Sequence, residues 1–351
     1  MATFTYLNPT SSNVSTTPIS ESGLTRLSFS RNDRPIIYAN YPEQIGVNGT
    51  GLALAEYNYC INRQTITAGE AQIFFSHWNR TGATLKYRVH IYNPSSSNAT
   101  VTRTNCGFSS GWSDPGKTVR DFYTTNSTTI SVPGTGSHSA WLTDEYSIAS
   151  EQPFNGMIRF SANRSVIITL YAYQSASSID GNEVVYPYSL EYSADVKVYS
   201  GVGNGYFLTI PHGTINVSTM PYRYITNNIR SNDNEITPIN IVGTSMQAHE
   251  NANDPLNNLG NWCTQNYHTI TIKNNTNSSA TVYGYIGSNS IGNTPVVAKG
   301  TTIKSVLLEN GPRKWKWCKI VLAANESYSF DYQTILASYG AAATFHEWAT
   351  T

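Results

Sequence analysis

Residues 85–102 read LKYRVHIYNPSSSNATVT and decide the fold of this 351-residue chain. Every second residue from Leu85 to Ile91 is apolar and the residues between them are polar, which is the period-two pattern of a half-buried strand. Asn93 to Asn98 is a run of turn-forming residues, and the alternation resumes at Ala99. The stretch therefore predicts a β-hairpin.

The same pattern recurs in the second half of the chain, where residues 270–283 read ITIKNNTNSSATVY. Asn93 matches Asn274, and Ala99-Thr100-Val101 matches Ala280-Thr281-Val282, without a gap and at a constant offset of 274 − 93 = 181. Because this offset is about half the chain, it indicates two copies of one unit.

A further match lies downstream, where Ile130–Gly134 resembles Ile320–Ala324 at an offset of 320 − 130 = 190. Helical periodicity is weak, and Tyr332 to Ala343 is the one helix candidate. Short apolar stretches separated by Gly, Pro, Asn and Ser predict an all-β fold of two tandem antiparallel β-sandwich modules of jelly-roll type, related by internal duplication. The predicted parts are an extended polar arm at 1–26, a first module at 27–178 and a second module at 179–351.

The composition predicts a polar but weakly charged surface. Charged residues make up 13% of the chain, and the 22 basic and 22 acidic side chains cancel to a net charge of zero. Such a chain has no overall electrostatic attraction to nucleic acid or to an anionic membrane, so neither is expected as a partner. Zero net charge also removes the repulsion between copies, which favours self-assembly.

Two cysteines lie in each half of the chain: Cys60, Cys106, Cys263 and Cys318. No pair has the close spacing of a zinc or redox motif. One disulfide within each module is expected, with Cys263 to Cys318 the favoured pair, and such bonds suit an oxidising location. Four buried thiols, or bonds between subunits, are the alternatives that the sequence leaves open.

The expected location is extracellular, or on the surface of a cell or spore. No window reaches ~18 consecutive apolar residues, and the start, MATFTYL, lacks the basic and apolar regions of a secretion signal. We therefore expect that a signal has been removed or that the protein reaches the surface by lysis of the producing cell.

The N-terminal arm carries little apolar surface. Phe4 and Tyr6 alternate with polar residues, and the remainder of 1–26 is mostly Ser, Thr, Asn and Pro. A segment of this composition cannot form a core of its own. We expect it to add a strand to the sheet edge of another subunit, with Phe4 and Tyr6 seated in small pockets.

Residues 313–319 read RKWKWCK, the most unusual local stretch. Strand alternation places Trp315 and Trp317 on one face and Cys318 on the other. Packing of both tryptophans in the core is one interpretation. Because Ile320 and Leu322 share the phase of Cys318, the other is an exposed aromatic pair that stacks on sugar rings or enters a neighbouring subunit.

The sequence contains no recognisable catalytic constellation. The seven histidines are scattered, and no two have the i, i+2 spacing that would point both rings of a strand at one metal. The Gly-rich residues 201–205 precede a strand pattern rather than a helix, so they predict a turn and not a dinucleotide loop. We expect no enzyme activity, no bound metal ion and no cofactor. Carboxylates for glycoside hydrolysis would have to come from a few candidates: Asp144, Glu145, Asp254 and Glu347.

Several short stretches resemble the β-sandwich body of bacterial surface proteins that carry a copper amine oxidase N-terminal-like, or stalk, domain. The resemblance implies a surface or envelope component of spore-forming Gram-positive bacteria, without an activity of the body. The stalk domain itself is missing, as are an Asn-Tyr-Asp/Glu stretch for a modified tyrosine and a His-x-His pair for copper. The matching stretches are Ala39–Glu43, Ile73–Asn79, Tyr87–Val89, Val101–Arg103 and Pro115–Lys117 in the first half, and Pro211–Thr214, Gly260–Trp262 and Ala324–Ser327 in the second.

Two functions are expected from these observations. The first is a structural subunit of an ordered extracellular or spore-surface assembly, such as a filament, appendage or coat, joined to copies of itself by exchange of the N-terminal arm. The alternative is a carbohydrate-binding or adhesive surface module whose partner is a surface glycan. An exposed planar strip of aromatic rings would favour the alternative.

Overall fold

The computed structural model describes residues 1–40, 44–46, 59–136, 138–173, 200–227, 239–242, 257–258, 262–289, 294–308, 311–337 and 343–350. Strands dominate these residues, and the single α-helix among them, α1, is Lys117–Thr124. The all-β class predicted from the sequence is confirmed. The strands in chain order are β1 (Thr3–Tyr6), β2 (Val14–Ser15), β3 (Ser30–Arg31), β4 (Pro35–Ala39), β5 (Gln44–Ile45), β6 (Tyr59–Ile66), β7 (Gly69–Asn79), β8 (Leu85–Tyr92), β9 (Ala99–Ser110), β10 (Thr128–Val132), β11 (Ser139–Trp141), β12 (Tyr146–Ile148), β13 (Pro153–Ala162), β14 (Val166–Tyr173), β15 (Ser200–Asn204), β16 (Phe207–Asn216), β17 (Tyr222–Asn227), β18 (Ile239–Val242), β19 (Asn257–Asn258), β20 (Gln265–Lys273), β21 (Ala280–Ser288), β22 (Pro295–Lys299), β23 (Thr302–Ser305), β24 (Arg313–Leu322), β25 (Ser327–Leu336) and β26 (Thr344–Ala349).

The chain divides into two compact units. The central unit comprises residues 33–205 and 240–257, and the arm unit comprises residues 1–32, 206–239 and 258–351. This division differs from the predicted one, because the arm at 1–26 lies in the same unit as residues 206–239 and 258–351, whereas residues 240–257 lie in the central unit. The predicted boundary after residue 178 falls outside the described residues.

The central unit is built on two sheets. Sheet III has the strand order β10-β9-β13-β7-β4-β15-β18-β19 with β5 added to β7, and sheet IV has the order β11-β8-β14-β6 with β12 added to β8. The inward side chains of both sheets, such as Ile73, Val89, Ile158 and Leu170, form one buried apolar core. The helix α1 packs over β9, where a Cβ at Gly107 would clash with the helix backbone.

The arm unit is built in the same way. Sheet I has the order β1-β24-β21-β26-β17 with β2 added to β24, and sheet II has the order β23-β22-β25-β20-β16-β3. Their common core contains Leu208, Ile272, Val282, Ile320 and Trp348. Most pairings are antiparallel as expected, but β16 pairs with β20 in parallel, as do β4 and β5 with β7 in the central unit.

The N-terminal arm crosses the arm unit of its own chain. β1 and β2 pair with β24 at the edge of sheet I. Ile19 is then buried on the outer face of that sheet against Ile225, Tyr285 and Phe345, and β3 pairs with β16 at the edge of sheet II. Its own sheets supply the backbone partners of the arm in this structure, and contacts of the arm with another subunit stay a prediction.

The two stretches predicted as hairpins are arches. β8 lies in sheet IV while β9 lies in sheet III, and β20 lies in sheet II while β21 lies in sheet I. Each six-residue turn therefore crosses from one sheet to the opposite sheet instead of joining neighbouring strands. Alternation predicts the strands correctly but contains no information on which sheet each strand joins.

A buried asparagine holds each of these arches, and a third one between β7 and β8. These asparagines are Asn79, Asn93 and Asn274. In each, the side-chain Nδ2 donates a hydrogen bond to the carbonyl oxygen of the residue four positions later, at 2.8, 2.9 and 2.8 Å respectively. The same Nδ2 also donates to a carbonyl of the returning chain, at Ile148, Val132 and Ala323 respectively. All three side chains are fully buried.

The matched halves of the sequence share a four-strand arrangement. β8-β9-β10-β11 and β20-β21-β24-β25 connect in the same order, and residues 181 positions apart have corresponding partners. Duplication of complete modules stays a prediction, since the strands around this arrangement differ. The pairing of Val132 with Ala99 corresponds to that of Leu322 with Ala280. The pairing of Ser139 with Tyr92 corresponds to that of Ser327 with Lys273.

The helix predicted weakly over Tyr332–Ala343 does not form over its described part, where residues 332–336 belong to β25. The helix that does form, α1, follows Pro115 and Gly116 and was not predicted. Only Thr118, Val119 and Phe122 of its eight residues are buried. Two turns with one apolar stripe give too few periodic positions to recognise in the sequence.

Candidate functional site

The predicted aromatic contact pair does not lie on the surface. Trp315 is 0% and Trp317 is 1% exposed, and both rings belong to the core of the arm unit. Trp317 packs against Tyr332 at 5.1 Å and Trp348 at 5.6 Å between ring centroids. Core packing, the first of the two interpretations, is the one that the structure contains.

A β-bulge explains why the sequence phase was misleading. In the pairing of β21 with β24, Gly284 lies opposite Cys318 whereas the next residue, Tyr285, lies opposite Lys316, so Trp317 is the extra residue. The extra residue reverses the alternation within β24. Trp315 and Trp317 therefore share the buried side with Cys318, although strict alternation separates them.

The predicted disulfides are absent. Cys60, Cys106, Cys263 and Cys318 are all buried thiols. The favoured partner Cys318 is surrounded by Gly284, Trp317 and Trp348, and burial raises the pKa of its thiol well above the usual range. Cys106 instead forms a 3.2 Å hydrogen bond with the hydroxyl of Tyr146. The alternative of four buried thiols is thus the correct one.

Phe4 and Tyr6 are seated in a pocket of their own chain. The ring of Phe4 lies 5.6 Å from Phe330 and 6.0 Å from Trp317, with the Lys299 ammonium 4.8 Å from its centroid. The hydroxyl of Tyr6 donates to the carbonyl oxygen of Lys299 at 2.7 Å. The predicted pockets for these two rings exist, and in this chain they are filled by its own arm.

The described acidic candidates for glycoside hydrolysis are divided between the two units. Glu347 in the arm unit accepts from Arg223 at 2.6 Å and Lys314 at 3.0 Å, and Glu145 in the central unit pairs with Lys86 at 2.9 Å. Asp144 is exposed beside Glu145, and Asp254 lies outside the described residues. Within the described ranges, no three His, Cys, Asp or Glu side chains are arranged to hold a metal ion.

Three of the histidines that looked scattered in the sequence meet in the arm unit. His212 Nε2 lies 2.9 Å from His268 Nδ1, and His268 Nε2 lies 2.9 Å from Thr334 Oγ1. The ring of His346 lies 5.7 Å from that of His268 and bonds Thr226 at 2.8 Å. His212 and His268 come from the paired strands β16 and β20 of sheet II, and His346 comes from β26 of sheet I, so strand pairing and the packing of the two sheets bring them together. We call these three side chains the histidine cluster.

An exposed aromatic surface occurs elsewhere, in the central unit. Trp112 lies in the loop after β9 and is 55% exposed, an unusual state for a tryptophan. Its ring packs edge-on against Trp78 at 5.5 Å, and the guanidinium of Arg80 lies 4.5 Å from the centroid of the Trp78 ring. We call Trp78, Arg80 and Trp112 the indole platform.

The neighbours of the indole platform hold it in place and supply polar groups. Arg80 is paired with Glu151 at 2.9 Å, and its backbone N–H donates to Ile45 at 2.8 Å. Gly111 has a φ of +90°, which favours glycine, and its N–H donates to Pro153 at 2.8 Å. A half-exposed indole ring held in this way offers a flat apolar surface next to a guanidinium and a carboxylate.

The sequence contains a signal for this platform. Trp112 stands in Gly111-Trp112-Ser113-Asp114-Pro115-Gly116, a run of turn-forming residues without strand alternation. A large aromatic residue in such a loop has no partner face of a sheet to enter, so it is a better candidate for exposure than the tryptophans of a strand.

Comparisons with known proteins identify no relative. No protein-family model and no curated protein matches the chain. Among solved structures, a Bacillus subtilis oxalate decarboxylase is 6% identical, covering 84% of this chain and 77% of that chain with a TM-score of 0.13. An oxalate decarboxylase formate complex from Lactobacillus farciminis is 8% identical, covering 84% and 86% at 0.12. A protein of unknown function from Pseudomonas syringae pv. tomato is 10% identical, covering 90% and 100% at 0.11. Likenesses this weak carry no argument about fold or activity.

In the described part of the chain, no helix has the length and apolar character needed to cross a membrane.

Proposed function

We propose that this protein is a non-enzymatic carbohydrate-binding protein of a cell or spore surface, and that a sugar ring stacks on the indole platform. The observation that carries the proposal is the half-exposed ring of Trp112, fixed edge-on by Trp78. Tryptophan rings held in this way present large apolar area at a low entropic cost.

The chemistry around Trp112 suits a sugar better than a purely apolar ligand. A hexopyranose has a C–H face that packs on an indole and a rim of hydroxyls that needs hydrogen-bonding partners. Arg80, which lies over the adjacent Trp78 ring, supplies donors, and its partner Glu151, with a side chain that is 56% exposed, supplies acceptors. The low overall charge of the chain and the resemblance to surface proteins support the same function and location.

The proposal is tested by titrating the full chain with soluble chitohexaose, cellohexaose and mannohexaose in a calorimeter. Trp112→Ala is expected to weaken binding to the preferred sugar at the platform by about tenfold, since loss of one stacking contact costs about 1.4 kcal/mol. Ser113→Ala, an exposed neighbour in the same loop, is the matched control. Equal platform affinities for the parent and Trp112→Ala would refute the proposal.

A second candidate function is self-assembly by exchange of the N-terminal arm. The observation that favours it is the position of β1 at the edge of sheet I, with Phe4 and Tyr6 as two detachable anchors. An edge strand of this kind can dock on a second copy with the same contacts that it makes on its own chain. Assembly into a filament or coat then needs no new surface.

A further inference from the structure

A shallow groove runs along the outer face of sheet II, above the central strand β20. Its volume is about 420 Å³. Outward residues of β20, including Thr269 and Thr271, form its floor, and Pro211 and Gly213 of β16 form one wall. The groove exists because the β20 side chains in its middle are short and because Gly213 has no side chain. We call it the β20 groove.

A bulge in β16 shapes this wall. In the pairing with β20, Pro211 lies opposite Thr269 and Gly213 lies opposite Ile270, so His212 is the extra residue. Its ring turns inward, where it bonds His268 at 2.9 Å and the hydroxyl of Tyr222 at 3.0 Å. The groove wall is therefore held from inside by the histidine cluster.

The polar groups of the β20 groove are hydroxyls and one carboxylate. Thr271 and Ser329 hydroxyls lie 2.8 Å apart on neighbouring strands. Asp331 is exposed on the wall opposite β16, beside the phenol of Tyr267. Neither lysine nor arginine contributes to the lining. An anionic ligand is therefore disfavoured, whereas a ligand with several hydroxyls finds a carboxylate acceptor and hydroxyl partners.

An aromatic pair closes one end of the β20 groove. Tyr267 lines the groove, and its ring is stacked with that of Phe207 on the adjacent strand, 5.9 Å apart and inclined by 27°. Burial and the nearby Asp331 raise the pKa of Tyr267, so the phenol keeps its proton and remains a donor. A flat ring beside a carboxylate and hydroxyls is the donor set that recognises sugars.

We propose that the β20 groove is a second saccharide site, which binds one neutral hexose or N-acetylhexosamine unit of a surface glycan. The ligand class rests on the proposed function, but the residues are independent of the indole platform. With one site in each unit, a single chain holds two glycan segments. The protein then cross-links polysaccharide strands instead of merely coating them.

The test counts the sites by calorimetry with the same three hexasaccharides. The parent is expected to bind two oligosaccharides per chain, whereas Trp112→Ala and Asp331→Asn are each expected to bind one with the parent affinity, because the altered site binds about tenfold more weakly. The double variant is expected to bind none with that affinity. Thr269→Tyr, which fills the floor of the groove without removing a core side chain, is a second way to block this site. Ser327→Ala, exposed on the same strand as Asp331, is the control.

The outcomes separate the two proposals. If the parent binds a single oligosaccharide and Trp112→Ala abolishes it, the groove proposal is overturned and the proposed function stands. If Asp331→Asn and Thr269→Tyr abolish binding while Trp112→Ala leaves it intact, the groove stands and the platform is rejected. Absence of binding by the parent to all three sugars overturns both.

Discussion

At the scale of single residues, the arch asparagines are the clearest link between sequence and fold. Each carboxamide replaces backbone partners that a turn between two sheets cannot provide, and its oxygen accepts the N–H of the residue two positions later. Asn79 and Asn274 also begin Asn-x-Thr sequons, but a side chain that is fully buried cannot accept a glycan. These motifs are structural in this chain.

We expect Asn274→Ala to destabilise the arm unit by about 3 kcal/mol, since it removes four hydrogen bonds of a buried carboxamide, to Ser278, Ala323 and Thr276. Urea unfolding followed by tryptophan fluorescence measures the loss. Asn126→Ala, at an exposed asparagine of the central unit, serves as control and should change the unfolding free energy by less than about 0.5 kcal/mol. A variant as stable as the parent would show that the arch is held by its backbone alone.

The bulge in β24 shows why the sequence did not place Cys318 on the correct face of its strand. Strand alternation assigned Trp315 and Trp317 to one face, correctly, but assigned Cys318 to the other. A single bulge opposite Gly284 reverses the phase, and a Cβ at Gly284 would lie 2.8 Å from the Cys318 sulfur and 2.9 Å from Trp317 Nε1. Period-two reasoning cannot locate an inserted residue, because the insertion depends on the neighbouring strand.

At the scale of strands, the histidine cluster makes the arm unit sensitive to acid. Burial lowers the pKa of His212 to about 4 and that of His346 to about 3, and it lowers the pKa of His268 well below its usual range. Their described neighbours are the phenols of Tyr222, Tyr224 and Tyr332 rather than carboxylates. No acidic group therefore stabilises a charged imidazole there.

The sign of the pH effect follows from these shifts. A histidine of the unfolded chain takes up a proton near pH ~6.5, whereas the folded cluster stays neutral down to about pH 4 at His212. Stability of the arm unit is therefore constant above pH ~6.5 and falls below it, by about 1.4 kcal/mol per pH unit for each histidine.

Urea unfolding of parent and His212→Asn between pH 7.5 and 4.5 measures this contribution. The variant is less stable at neutral pH but is expected to lose less stability on acidification. His138→Asn, at a histidine of the central unit, is the matched control and should retain the slope of the parent. Equal slopes for parent and His212→Asn would contradict the assignment.

Strands themselves were predictable, and their partners were not. The alternation at residues 85–102 and 270–283 located four strands correctly, and the offset matched residues that have corresponding registers. Which strands share a sheet depends on contacts far apart in the chain, such as Phe207 beside Gln265 in parallel. The β20 groove and the histidine cluster could not be predicted from the sequence, because both are formed by residues far apart in the chain.

At the scale of the whole molecule, the two candidate functions differ in whether the N-terminal arm pairs with its own chain or with another copy. Thr5 of β1 lies opposite Lys319 of β24, and both side chains are accessible to solvent. In a Thr5→Cys, Lys319→Cys double variant, oxidation is expected to link the two positions within one chain, so that the product migrates as a monomer on a non-reducing gel. Thr5→Cys alone is the control.

Linked dimers and larger species from the double variant would instead favour arm exchange, and self-assembly would then become the leading function. Deletion of residues 2–26 would not separate these cases, because it also uncovers Ile225, Tyr285 and Phe345 on sheet I. The sequence could not assign the arm to a unit, since its polar composition is compatible with either its own chain or a neighbour.

The path of the arm also dictates the order in which the chain can fold during its synthesis. Residues 3–6 leave the ribosome long before residues 318–321, with which they pair. The central unit can fold while the arm is still unpaired, because the arm unit closes only after residues 318–321 have been made. A polar arm, in which Glu21 and Arg26 are the charged side chains, resists collapse and is suited to that delay.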